Sequence, residues 1–260
     1  MNTFIKKYFG TLLFFTLVGL VGGLFTGLYL LDSYPDETRA QLIEQFGALG
    51  NIDIDVDILI GIITAFQSAC YGLILGAIGI VIAKRLGLWK DEVSIDKMPL
   101  LITVAVSILG GLVMILPDML FFSGYSEAIA ESYAAKPGIT YILATVTYAA
   151  VIEEVMLRLF TMSLIAFLLH KIFDRGAYTP SVAVLITANV ISAILFAAGH
   201  LPATLAIIGG DPLIILRCFL LNGSLGLLFG YLYRRYGLRY AMIAHGGCHI
   251  VSKLIWVIFI

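Results

Sequence analysis

Seven stretches of this chain, near residues 9–31, 58–83, 99–122, 139–169, 181–200, 213–233 and 240–260, stay apolar over about the 20 residues that a helix needs to cross a bilayer. Inside hydrocarbon every backbone N–H and C=O must be bonded within the protein, so runs of this length specify spanning helices. The fold class that follows is all-α: a polytopic membrane protein, a bundle of seven transmembrane helices around a polar intramembrane cavity. An eighth helix is added if the short piece Ala203 to Ile208 enters the membrane. Only 13% of the 260 residues are charged and 60% are hydrophobic, against roughly 25% charged in a soluble domain.

The net charge of −1 gives no footing for a nucleic-acid partner. Its distribution is more telling. Lys6 and Lys7 precede the first run, Lys84, Arg85, Lys90 and Lys97 follow the second, Lys171 and Arg175 the fourth, and Arg234, Arg235 and Arg239 the sixth. The loop after the first run is acidic. Basic and acidic loops alternate, which the positive-inside rule reads as a cell-membrane protein with a cytoplasmic N-terminus. The first run lacks a small-residue cleavage site before Asp32 and reads as a retained helix. Cys70, Cys218 and Cys248 lie in apolar segments without CxxC spacing and read as buried structural thiols. An amphipathic surface helix is expected around residues 37–49, with a solvated loop as the alternative. Glycines at 223, 226, 230, 246 and 247 suit close helix packing.

Intramembrane polar groups concentrate late in the chain. Residues 1–135 are therefore read as N-terminal transmembrane helices of unassigned role, and residues 136–260 as the part of a single membrane unit to which any chemistry belongs. Glu153, Glu154 and Arg158 interrupt the fourth apolar run. Each such charge costs roughly 2.5–3.5 kcal/mol at the centre of a bilayer helix, so charges found there usually face a protein interior or watery cavity and serve a function. On a 3.6-residue helix Glu154 and Arg158 share a face, whereas Glu153 is turned about 100° away and is left free to take a proton. A structural ion-pair network is the alternative.

The fifth run holds Phe196 and His200, with Asn189 eleven residues earlier on nearly the same face. The last run holds His245 and His249, an i, i+4 pair whose imidazoles reach one small target, a metal ion or a charged oxygen. Gly246 after the first histidine excludes the HExxH zinc motif. Lys253 extends that face by one more step and is assigned to the membrane rim, with a substrate's negative end as the alternative. The depths pose a problem: His200 lies near the outer end of its run and His245 near the inner start of its own, unless the fifth helix continues past Pro202.

Three boxes in order, Glu153, Glu154 and Arg158, then Phe196 and His200, then His245 and His249, resemble those of the CAAX protease and bacteriocin-processing (Abi) family, which includes the Ras-converting CAAX endopeptidases. The resemblance covers roughly residues 139–260. It implies an intramembrane endopeptidase without an obligatory metal, in which Glu153 activates water, His200 helps position it, His245 assisted by His249 stabilises the oxyanion, and Glu154 with Arg158 supports Glu153. The family commonly has Asn or Asp where this chain has His249. The substrate implied is a peptide or protein reaching the site from the bilayer or the cytoplasm: a prenylated C-terminus, a leader peptide or a membrane anchor. Two other readings stay open. Glu153, His200, His245 and His249 would ligate zinc in a metalloprotease, or the cluster would serve a non-catalytic immunity or scaffold protein. Oligomeric state is not legible.

Overall fold

A computed structural model describes residues 3–34, 36–47, 55–91 and 95–260. Helices account for nearly all of it, and no strand occurs among the described residues. They are α1 (Thr3–Asp32), α2 (Asp36–Gly47), α3 (Val56–Arg85), α4 (Lys97–Tyr125), α5 (Glu127–Ser132), α6 (139–173), α7 (Val182–Ile207), α8 (Pro212–Tyr236) and α9 (Leu238–Phe259). Of these, α1, α3, α4, α7, α8 and α9 are long and apolar enough to cross a membrane. Helix α6, which carries the two glutamates and the arginine, is not among those six. It packs against α1, α3, α7 and α9.

Helix ends follow their capping chemistry. Asp55 accepts from the Asp57 amide to open α3, and Ser181 from the Val184 amide to open α7. Asp211 accepts from the Leu213 amide at the start of α8, with Pro212 in the first turn, where a missing N–H costs nothing. A single residue, Gly237 at φ 106°, joins α8 to α9; that backbone region is costly for any residue with a Cβ.

Two polar clusters mark the ends of the bundle. At one, Asp91 bonds Lys7, Tyr8 and Trp89, and the Asp96 amide donates to the Tyr240 hydroxyl. At the other, Asp118 bonds Arg217 and Tyr133, and Tyr125 donates to Asp211.

Several expectations are met or corrected here. Ala203 to Ile208 is no separate element: α7 runs through Pro202 to Ile207, and this extension removes the depth conflict. The acidic stretch forms a helix over Asp36–Gly47, while residues 48 and 49 of the expected helix lie outside the described residues. Cys218 and Cys248 are buried, but Cys70 is exposed on the outside of α3.

Candidate active site

The local geometry of α6 departs from a 3.6-residue helix. Residues Thr145–Glu153 and Val155–Met162 are π-helical. A π-turn closes i to i+5, so successive residues are separated by a smaller angle than in an α-helix, and such turns cluster at functional sites. Glu153 and Glu154 therefore lie closer together around the axis than the α-helical 100° implies, and both approach the same imidazole on α9.

Glu154 is fully buried, with Oε1 2.9 Å from His245 Nδ1 and Oε2 3.4 Å from Arg158 Nε. The pairing with Arg158 has the spacing expected; the bond to His245 is additional. A carboxylate can only accept, so His245 carries a proton on Nδ1. Its Nε2 faces Glu153, 4.0 Å from Oε2. Glu153 keeps 18% of its side chain accessible against 0% for Glu154, so Glu153 is the carboxylate a water can reach.

Aromatic rings hold this arrangement. The Arg158 guanidinium lies 4.7 Å from the Phe196 ring centre and 5.6 Å from that of Phe229, and its Nη2 donates to the Gly226 carbonyl at 3.2 Å. His245 stacks between Phe229, at 4.5 Å and 21°, and His249, at 5.1 Å and 23°. Phe196 also meets His200 edge-on at 4.8 Å and His245 at 5.9 Å, so one ring joins the boxes on α6, α7 and α9. His200 Nδ1 lies 2.9 Å from the Phe196 carbonyl, which can only accept; the ring proton sits there, and Nε2 presents a lone pair.

The remaining residues divide. Asn189 donates to the Leu227 carbonyl and faces Gly230 on α8. It stands about 16 Å along the helix from His200, at a packing contact between α7 and α8 rather than beside the carboxylates. Lys253 is no rim residue: it is 6% exposed, with Nζ 3.3 Å from His249 Nδ1 and 4.3 Å from the centre of the Tyr141 ring. Phe229 and Tyr141 carry no sequence signal that separates them from ordinary core aromatics.

Four buried polar atoms in the cluster lack a hydrogen-bond partner: Glu153 Oε2, Glu154 Oε2, Arg158 Nε and Arg158 Nη1. Buried polar atoms are nearly always satisfied, and each exception calls for a physical reason, such as a catalytic role or a bound water or ion. Among the described residues no group of three or more His, Cys, Asp or Glu side chains is arranged to hold a metal ion. Glu153, His200, His245 and His249 therefore do not fit a zinc ion as they stand.

Residues 135–251 match the family model described as type II CAAX prenyl endopeptidase Rce1-like. No curated protein and no solved structure matches the chain. The matched segment contains all three boxes, and over it the chain is similar to the Rce1-like CAAX prenyl endopeptidases.

Proposed function

We propose that the protein is a glutamate-type intramembrane endopeptidase. Glu153 takes a proton from a water as that water attacks the scissile carbonyl, and the free Nε2 of His200 accepts a hydrogen bond from the same water. The carbonyl oxygen becomes an oxyanion, stabilised by His245, protonated on both nitrogens, and by His249. Collapse of the tetrahedral intermediate breaks the C–N bond, and the Glu153 proton passes to the leaving amine. Glu154 and Arg158 hold His245 and Glu153 in register. The basic end of the bundle faces the cytoplasm, and the substrate is a prenylated C-terminus, a leader peptide or a membrane anchor.

One observation carries this reading. Two adjacent carboxylates share a histidine, yet only Glu153 keeps an unpartnered oxygen together with an accessible side chain. General-base catalysis typically contributes about 10²–10⁴ in rate.

The test is to reconstitute wild-type protein and Glu153→Gln in lipid with candidate peptides, and to compare protein and peptide termini in cells carrying each. Glu153→Gln is expected to lose about 10²–10⁴ in cleavage, and wild type is expected to keep full activity after exhaustive chelation. Identical termini in both cells sink the reading in favour of a non-catalytic membrane protein. Loss of activity on chelation, restored specifically by zinc, replaces it with a metalloprotease.

A further inference from the structure

The three histidines of the site differ in what holds each Nδ1. For His200 it is a backbone carbonyl and for His245 a carboxylate, and both can only accept. For His249 it is the Lys253 amine at 3.3 Å. An ammonium has three donors and no acceptor. Its face-on position over the Tyr141 ring, with Nζ 4.3 Å from the centre, offsets part of the cost of burying an ammonium, because the ring quadrupole attracts a cation.

We infer that Lys253 is a positioning residue that fixes His249 as a ring protonated at Nε2 alone. The inference rests on the peptidase reading only for its consequence: His249 then presents a standing N–H donor to the oxyanion, whereas His245 must gain a second proton to do so. The ammonium donates to Nδ1, so that nitrogen must be bare and the single ring proton must sit on Nε2. Without Lys253 a second arrangement opens. His249 Nδ1–H would bond the carbonyl of His245, four residues back on the same helix, as His200 bonds the carbonyl of Phe196. The proton would then leave the edge that faces away from Lys253, and the donor would be lost.

The stack on His245, at 5.1 Å and 23°, keeps the two imidazoles in one column, so the choice of tautomer decides which edge is a donor without moving the ring. Lys253 is itself buried and lies one helical turn beyond His249 on α9. It acts through His249 and need not touch the reacting atoms.

The test is nitrogen NMR of protein with isotope-labelled histidine in lipid nanodiscs, the His249 signals being assigned by their loss in His249→Asn. Wild type is expected to show a bare Nδ1 and a protonated Nε2 at His249. Lys253→Met is expected to move part of the population to the Nδ1–H form and to lower kcat about tenfold with KM unchanged, less than the 10²–10³ for removing an oxyanion donor outright. A proton on Nδ1 of His249 in the wild type overturns the inference with no substrate present, even where Lys253→Met fails to fold. A Lys253→Met spectrum identical to wild type overturns it too. Failure of the peptidase reading shows separately, as unchanged cleavage in Glu153→Gln, and leaves the NMR result standing.

Discussion

Two buried clusters in this protein are built from the same parts, a carboxylate, a guanidinium and aromatic rings, and they are finished differently. Near one end of the bundle Asp118 accepts from Arg217 Nε at 2.6 Å, from Arg217 Nη2, and from the Tyr133 hydroxyl at 2.9 Å, with Phe122 against the guanidinium. Neither Asp118 nor Arg217 has a buried atom without a partner. Around Glu153 and Glu154 the ion pair is longer, at 3.4 Å, and four buried polar atoms make no hydrogen bond. A saturated cluster has no capacity for another ligand and acts as a clamp, here tying α4 and Tyr133 to α8. An unsaturated one carries a standing desolvation cost that a reactant can relieve, which is the state required of a site that must stabilise charge only as the reaction develops.

The largest effects test that division. Glu153→Gln, expected to remove most of the cleavage, should leave the thermal midpoint in detergent unchanged or raised, because it removes a charge the fold does not satisfy. Asp118→Ala should do the reverse. Stranding Arg217 beside a buried aromatic cluster is expected to cost about 3–5 kcal/mol, read as a lower midpoint, while cleavage per folded molecule stays within twofold of wild type. If Glu153→Gln unfolds the protein or Asp118→Ala abolishes turnover, the distinction between clamp and site fails.

Much of this was legible before any coordinates. Apolar runs of spanning length place the long helices, because lipid leaves the backbone few other options. The spacing of Glu154 and Arg158 brings their side chains together, and residues from all three boxes, Arg158, His200 and His245, meet around the Phe196 ring. What sequence could not supply has physical causes. The π-helical widening of α6 leaves no compositional mark, so an α-helical wheel separates Glu153 from Glu154 more than the fold does. Proline rules disfavour a helix through Pro202, yet α7 continues to Ile207; spanning helices tolerate proline because surrounding groups can re-satisfy the freed backbone positions. A lysine near a helix end normally reaches for water; Lys253 instead finds His249 and Tyr141, partners that only tertiary structure reveals. Phe229 reads as one apolar residue among many until its ring is seen against His245.

A smaller effect sharpens the comparison at that ring. Phe229→Leu keeps an apolar side chain between Arg158 and His245 but removes the parallel face at 4.5 Å. Such a stacked pair is worth about 0.5–1.5 kcal/mol beyond its burial. The stability loss should be of that size, and the fall in kcat should exceed what it accounts for, since the ring orients an imidazole that must present one edge. A matched substitution in the closed cluster, Phe122→Leu, should lower stability to a similar degree and leave kcat alone. Equal effects on kcat at both positions would mean that the two clusters are not functionally distinct.

The smallest effect lies at the solvated end, where the cluster around Asp91 is exposed. The Lys7 ammonium bonded to Asp91 at 2.9 Å, helped by the Trp89 indole and the Tyr8 hydroxyl, holds its carboxyl down at about 2, below the roughly 3.9 of an unfolded aspartate. A depressed folded value means that the fold favours the ionised form. Its contribution is therefore fully present above about 4 and is lost as pH falls toward 2. Lys7→Ala removes the principal cause of the depression, so the midpoint of the variant should fall less steeply than that of wild type across this window, with the difference shrinking in high salt because both partners are solvent-facing. An identical acid slope in the variant would assign the loss to other carboxylates. A difference that survives high salt would mean that Asp91 is shielded from solvent, and the contrast between screened ends and a dry interior would no longer hold for this end of the bundle.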